Sequence, residues 1–188
     1  MTAIDDTYID RLVRRAIRGD VDAFGGIYDA YADRVYSFVN ARLRNPQDAE
    51  DVTSVVFIKA FEAIGSYDRR GLPFGAWLFR IARNATIDHQ RRAGKAPEPV
   101  ETIEDNAPTD AVLLEDEVAA RVDGEAIRAC VSRLTDEQAA VVACRFFFDL
   151  DVRETARTLG RTEGAIKALQ HRALKSLGRM LEESGTDV

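Results

Sequence analysis

FGAWLFRIARNATIDHQRR, residues Phe74 to Arg92, is the stretch that decides the fold. Phe74, Trp77, Leu78, Ile81, Ala82 and Ala85 recur at the three- and four-residue spacing of one buried helical stripe. The opposite side carries Arg80, Arg83, Asn84, Asp88 and Arg91 at similar spacing. Pro73, just ahead, suits a first helical turn, where no amide hydrogen is needed. One face therefore docks into a core, and the other presents cations and a side-chain amide. From Arg69 to Lys95 there are seven Arg or Lys against the single acid Asp88, in a chain of formal charge −6. A solvated helix face is one reading of that patch. The other is a surface that meets nucleic-acid phosphates and bases.

The same helical period extends outward on both sides, with no alternating strand pattern of useful length and no fixed repeat. Upstream, Ile4 to Arg18 reads as a first helix that Gly19 stops. Asp20 caps a second helix running to about Leu43, in which Gly25 and Gly26 are weak points. Asn45 caps a third, with Pro46 at its first position, continuing to about Ile64. GSYDRRGL, residues Gly65 to Leu72, is a loop. Downstream of Arg92 the composition changes. Glu98 to Glu117 holds eight Asp or Glu and no Lys or Arg, with prolines before and within it, which reads as an extended tether, its end helical over Val112 to Val122. Helical period resumes near Gly124. Thr135 with Gln138 and Asp151 with Glu154 are capping boxes for the two helices that follow, and Thr162 opens the last, running to about Glu182. The fold class expected is all-α: two small helical domains, residues 1–94 and 124–188, joined by an acidic linker over 95–123.

Bulk properties narrow the function. A chain of 188 residues, 46% hydrophobic and 31% charged, is sized for one ordinary domain or two small ones. No apolar run approaches the roughly 20 residues that span a bilayer. The start, MTAIDDTYIDRL, is acidic and amphipathic, unlike a secretory signal. Cys130 and Cys144, set among apolar neighbours, read as reduced core thiols of a cytoplasmic chain. Two His and two Cys, widely scattered, do not make a zinc site, and no metal or other cofactor is expected. Net acidity argues against a DNA binder that relies on its own charge for affinity. The local placement of the cations suggests a protein delivered to DNA by something larger.

Arg153 to Leu177 has the spacing of a helix-turn-helix. Ala156 is small enough for a close helix crossing, Gly160 supplies a left-handed turn residue, and Ile166 packs back on the first helix. Ile166, Leu169, Ala173, Leu177 and Leu181 form the inner seam of the last helix. Its outer face presents Arg161, Thr162, Glu163, Lys167, Gln170, His171 and Lys175, residue types that bond base edges or phosphates in a major groove. A plain helical hairpin is the alternative reading.

With both halves in view, the chain resembles a bacterial RNA polymerase sigma factor of the extracytoplasmic-function group in the sigma-70 family. DAEDVTSVVFIKAFEAI (Asp48 to Ile64) is similar to the family helix that docks on the polymerase clamp. FGAWLFRIARNATIDHQRR is similar to the helix that melts and reads the −10 promoter element, and Leu134 to Leu174 to the domain that reads the −35 element. The resemblance implies roles that pattern alone does not give. Asp48, Asp51, Ile58 and Lys59 match clamp-contacting positions. Tyr67, Asp68 and Arg69 lie in a loop that accepts a flipped-out −10 base. Asn84 touches the −10 strand with Arg80, Arg83 and Asp88 beside it, and Arg91 and Arg92 lie near the upstream DNA backbone. Trp77, Phe79 and Tyr67 are candidates for stacking on single-stranded bases, although Trp77 also sits on the apolar stripe. Two departures stand out. Ser54-Val55 replace Gln-Glu in the docking helix, and Leu169-Gln170 replace an Arg followed by an apolar residue. Leu169 is expected inside, with Gln170 taking over part of the −35 readout.

The implied function is a dissociable, non-catalytic specificity subunit. Its partners are core RNA polymerase, promoter DNA (duplex at −35, single-stranded at −10) and an anti-sigma factor; nothing points to membrane insertion or a homo-oligomer. The rival is a stand-alone helix-turn-helix regulator with an N-terminal sensory or partner-binding domain. An enzyme lacks support, since no phosphate loop, metal-ligand cluster or nucleophile–base pair is present. The acids Asp48, Glu50 and Asp51 are explained by their place at a helix start.

Overall fold

The computed structural model describes residues 6–68, 70–94, 131 and 133–183, with side chains to position 180. Among them there is no strand. Helices α1 (Asp6–Ala16), α2 (Val21–Leu43), α3 (Pro46–Ala63) and α4 (Phe74–Arg92) form an N-terminal unit. Helices α5 (Asp136–Val142), α6 (Val152–Leu159) and α7 (Glu163–Glu183) form a C-terminal one. The expected tether, its helical end at 112–122, the start near Gly124 and Cys130 lie outside the described residues.

Local chemistry sets the helix ends. The Asp20 carboxylate accepts the Ala23 amide at 3.0 Å and the Arg15 guanidinium at 2.8 Å. The cap bond first, then Arg15, holds this carboxyl below its ordinary pKa. Asn45 accepts the Gln47 amide at 3.0 Å with Pro46 behind it. Both capping boxes close reciprocally, Thr135 with Gln138 and Asp151 with Glu154. Two boundaries differ from the sequence reading. The third helix tightens into a 3₁₀ turn at Ile64–Ser66. The helix after Thr135 widens into a π turn over Ala143–Phe147, where the Phe148 amide reaches the Ala143 carbonyl at 3.1 Å. Gly25 and Gly26 leave α2 unbroken. A Cβ on Gly26 would meet Leu12 side-chain atoms at 3.0 and 3.3 Å, so the glycine lets α1 cross closely.

The N-terminal core is built from Ile27, Val35, Val39, Val56, Leu78 and Ala82, all essentially inaccessible. In the C-terminal unit Val141, Ala156, Ile166 and Leu169 make a small cluster. A tether alone would leave the units free of one another, but the structure packs them together. The Phe148 ring lies against Phe79 (centroids 5.4 Å apart) and Phe38 (6.2 Å), so one continuous core spans both. Arg34, 3% exposed, donates to the Phe147 carbonyl at 3.0 Å and to the Asp149 carboxylate at 2.7 Å. Arg42 pairs with Asp136, and Arg157 donates to the Gly71 carbonyl at 2.5 Å.

Candidate nucleic-acid interface

Helix α4 buries Phe74, Leu78, Phe79, Ala82 and Ala85, which turns Arg80, Arg83 and Asn84 outward. These three form one wall of a cleft of about 710 Å³ between the two units. The facing wall includes Glu137, Thr158, Arg161 and Leu169 from the C-terminal unit. Trp77 and Ile81 contribute an apolar edge. Two of the chain's arginine-bearing surfaces, assigned by sequence to different DNA elements, thus share one cavity.

At the N-terminal end of α4 the preceding loop is fixed by its own bonds. Tyr67 donates its hydroxyl to the Leu72 carbonyl at 2.7 Å, and its ring packs on Phe74 and Trp77, with centroids 5.6 and 5.3 Å away. Asp68 is exposed and its carboxylate accepts the Arg70 amide at 2.9 Å, closing a tight turn. Arg69 lies outside the described residues. Trp77 is half-buried in this aromatic cluster, between the core and stacking readings. Phe79 departs from the expectation of a stacking ring: it is 1% exposed, beneath Phe38 and Phe148. At the other end, Asp88, Arg91 and Arg92 are exposed; Lys59 reaches Asp88 at 3.8 Å, and Arg92 bonds the Asp88 carbonyl at 3.2 Å.

Helix α3 shows a second surface. Asp51, Ile58 and Lys59 are exposed, whereas Asp48 is partly covered and lies 3.5 Å from the His89 imidazole. Ile58 is 58% exposed, and Val55 and Phe61 beside it are 38% and 48% exposed. Val55 enters the sequence reading only as a departure from the family's docking helix, and Phe61, whose ring meets Phe24 edge-on, does not enter it at all. The signal was available, since the buried stripe Ala49, Val52, Val56 and Ala60 leaves positions 55 and 58 on the outside. The Ser54 hydroxyl is turned back to the Glu50 carbonyl at 3.0 Å, so it adds little polar reach.

In the C-terminal unit Gly160 takes φ +67°, the left-handed turn that lets α6 and α7 cross, and Ile166 is fully buried between them. Thr162 accepts the Ala165 amide at 3.1 Å and caps α7. Arg161, Thr162, Glu163, Lys167, His171 and Lys175 are exposed, with Arg161 paired to Glu137. Leu169 is buried. Gln170 departs from the expectation of an outward reader: it is 3% exposed, and its amide oxygen accepts from Arg145 at 3.2 Å. Leu169 faces inward onto Val141, Ala156 and Ile166, and Gln170 is drawn inward by Arg145 of the π turn. Cys144 is fully buried, and desolvation pushes its thiol well above the usual range. Among the described residues no group of His, Cys, Asp and Glu could hold a metal, and no helix is long and apolar enough to cross a membrane.

Residues 27–96 match sigma-70 region 2, and residues 124–177 match sigma-70 region 4. The ECF RNA polymerase sigma factor BldN of Streptomyces coelicolor is 40% identical, over 95% of this chain and 68% of its own length. SigW of Bacillus subtilis, another ECF RNA polymerase sigma factor, is 30% identical over 93% of this chain and 97% of its own. Among solved structures, CnrH in complex with the cytosolic domain of CnrY shares the fold with a TM-score of 0.68, at 22% identity over 95% of this chain and 99% of that one. The sigma factor RpoE of Bartonella quintana, in complex with the anti-sigma factor NepR, aligns with a TM-score of 0.61 at 22% identity over 85% and 96%.

Proposed function

We propose a division of labour that proceeds from one premise: the chain belongs to the sigma-70 family of RNA polymerase sigma factors, in its extracytoplasmic-function group. It binds core RNA polymerase and directs promoter-specific initiation through the −10 and −35 elements, assisting strand opening. The observation that carries this is the succession of region 2 and region 4 in one chain that aligns almost end to end with named relatives.

The assignments within that function are ours. Residues 1–94 form the docking and −10 domain, 95–123 the acidic linker and 124–188 the −35 domain. The α3 face of Asp48, Asp51, Ile58 and Lys59, extended by Val55 and Phe61, meets the polymerase clamp. Its apolar centre within a charged rim is the anatomy of a protein interface. Asn84, Arg80 and Arg83 hold the −10 strand, with Tyr67, Asp68 and Arg69 at the extruded base and Asp88, Arg91 and Arg92 alongside. Capture of extruded bases offsets an unstacking cost of a few kcal/mol each. Arg161, Thr162, Glu163, Lys167, His171 and Lys175 meet the −35 duplex. The chain contributes selection and the polymerase contributes chemistry, in the cytoplasm where the polymerase works. An anti-sigma factor that hides these surfaces completes the set of partners.

Run-off transcription with purified core polymerase on candidate promoters tests the reading. Core binding and defined transcripts are expected. A chain that ignores core yet shifts duplex DNA alone would be a stand-alone regulator instead.

A further inference from the structure

Tyr67 stands where the chain leaves the 3₁₀ turn and starts the loop that leads to α4. Its amide donates to the Ile64 carbonyl at 3.1 Å, which fixes the residue at its own end of the loop. Its hydroxyl crosses the loop mouth and donates to the Leu72 carbonyl at 2.7 Å. That carbonyl stands outside the α4 ladder. Leu72 precedes Pro73, whose ring disfavours helical backbone in its predecessor, and the Ala76 and Trp77 amides both go to the Pro73 carbonyl, at 3.0 and 3.2 Å. The tyrosine hydroxyl supplies the donor that the helix does not. Inside this bridge sits a smaller turn. The Gly71 amide meets the Asp68 carbonyl at 3.2 Å, and the Arg70 amide meets the Asp68 carboxylate at 2.9 Å. Asp68, Arg70 and Gly71, all exposed, are thus nested within a span that one tyrosine ties at both ends.

The ring is anchored as firmly as the hydroxyl. It packs on Phe74 and Trp77, and the Phe74 ring in turn meets Tyr31 with centroids 5.6 Å apart. Phe74 and Tyr31 are both buried, so the bridge stands on the core of the N-terminal unit. A base that stacks on an aromatic side chain needs the ring as an open platform. Half-buried and held at its tip and its body, this ring is part of the loop wall instead.

We infer that the Tyr67 hydroxyl is the positioning group of the −10 capture loop: its bond to the Leu72 carbonyl holds the turn of Asp68, Arg70 and Gly71 in the shape that receives an extruded base, and its ring carries that bond without stacking on DNA. The inference deepens the assignment of this loop to the extruded base and rests on it. A loop already held in its binding shape loses less freedom when the base enters, and the difference appears as affinity. Tyr67→Phe keeps the ring and its packing and removes only the donor. The loop must then order itself as the base arrives. Loss of one neutral, half-buried hydrogen bond corresponds to about 5-fold in affinity.

Three measurements on the full chain test it. The first is limited trypsin cleavage after Arg70, in an Arg157→Ala background that removes the donor reaching the Gly71 carbonyl from the C-terminal unit. There Tyr67→Phe should speed cleavage by about 5-fold. In the second, holoenzyme carrying Tyr67→Phe should bind a promoter fork with a single-stranded −10 segment about 5-fold more weakly, with core affinity unchanged. The third uses a series of forks with one abasic site at each −10 position in turn. One position should cost the wild type about 10-fold or more, and at that position alone the Tyr67→Phe defect should vanish. A variant that binds the intact fork like wild type overturns the inference. Weaker fork binding with unchanged cleavage also overturns it, because the hydroxyl would then touch DNA itself. A defect that persists at every abasic position, or an equal loss of core affinity, overturns it by showing general support of the fold. If no abasic site weakens wild-type binding, the base-capture assignment itself falls, and the inference with it.

Discussion

Arg145 donates its Nε–H to the side-chain oxygen of Gln170 at 3.2 Å, tying the outer helix of the helix-turn-helix to the π turn beneath it. Arg145 also bonds the Leu150 carbonyl, so Gln170 belongs to a half-buried polar network. Gln170→Ala should lower stability by about 1–2 kcal/mol, because it removes an acceptor from a half-buried cation. The melting temperature should fall by a few degrees, with −35 sequence preference unchanged. Lys167→Ala should do the reverse. Its side chain is exposed, so melting stays put, while duplex affinity drops across sequences and the salt slope falls by about 1. Thermal melts beside salt-dependent binding of the holoenzyme to promoter duplex distinguish the two.

Ile58 is 58% exposed at the centre of the α3 face. Ile58→Asp should leave the fold intact and weaken core polymerase binding by 10-fold or more, the loss typical of an apolar hot spot. Surface plasmon resonance against immobilised core measures it. Undiminished affinity would move the docking surface elsewhere.

Asn84 stands exposed beside Arg80 and Arg83, outside the core of α4. Asn84→Ala should reduce open-complex formation by about 10-fold, one to two kcal/mol of lost hydrogen bonding to a captured base, with core affinity unchanged. Permanganate footprinting of the −10 region reads the first quantity. Equal losses in both would mean that the residue supports the fold.

The Cys144 thiol is fully buried and its pKa is raised by desolvation. Above about pH 8.5 an unfolded thiol releases its proton whereas the native one retains it. Its contribution to stability is therefore complete below that pH and declines as pH rises toward the native value. The urea midpoint should fall between pH 8 and pH 9.5, and Cys144→Ala should flatten part of that slope. In a Cys130→Ser background, Ellman's reagent should titrate Cys144 only as the protein unfolds.

Legibility in the sequence followed locality. The limits of α4, the caps at Asp20 and Asn45, both capping boxes and the left-handed Gly160 depend on residues within four positions of one another, so pattern and turn chemistry suffice. The contacts of Phe148 with Phe79 and of Arg34 with Asp149 join residues far apart in sequence, and no local period carries them. Phe79 was misread as a stacking ring because Phe148 covers it from the other unit. Gln170 was misread because the width of a buried stripe depends on what packs against it. The roles of Asn84 and of the loop from Tyr67 came from likeness to a family. Pattern alone gave only a basic face opposite an apolar one.

The π turn at Ala143–Phe147 carries one residue more than a regular helical turn and ends where Phe148 leaves for the neighbouring unit. Each residue of an α-helix advances about 100° around its axis. Loss of a single codon in this stretch would restore regular register and swing Phe148 by about that angle, away from Phe38 and Phe79. The resting posture of the chain is thus encoded as a reading-frame-neutral count of residues. An in-frame deletion or insertion of one residue here would reset how two otherwise intact domains are held, with no side chain of the contact replaced.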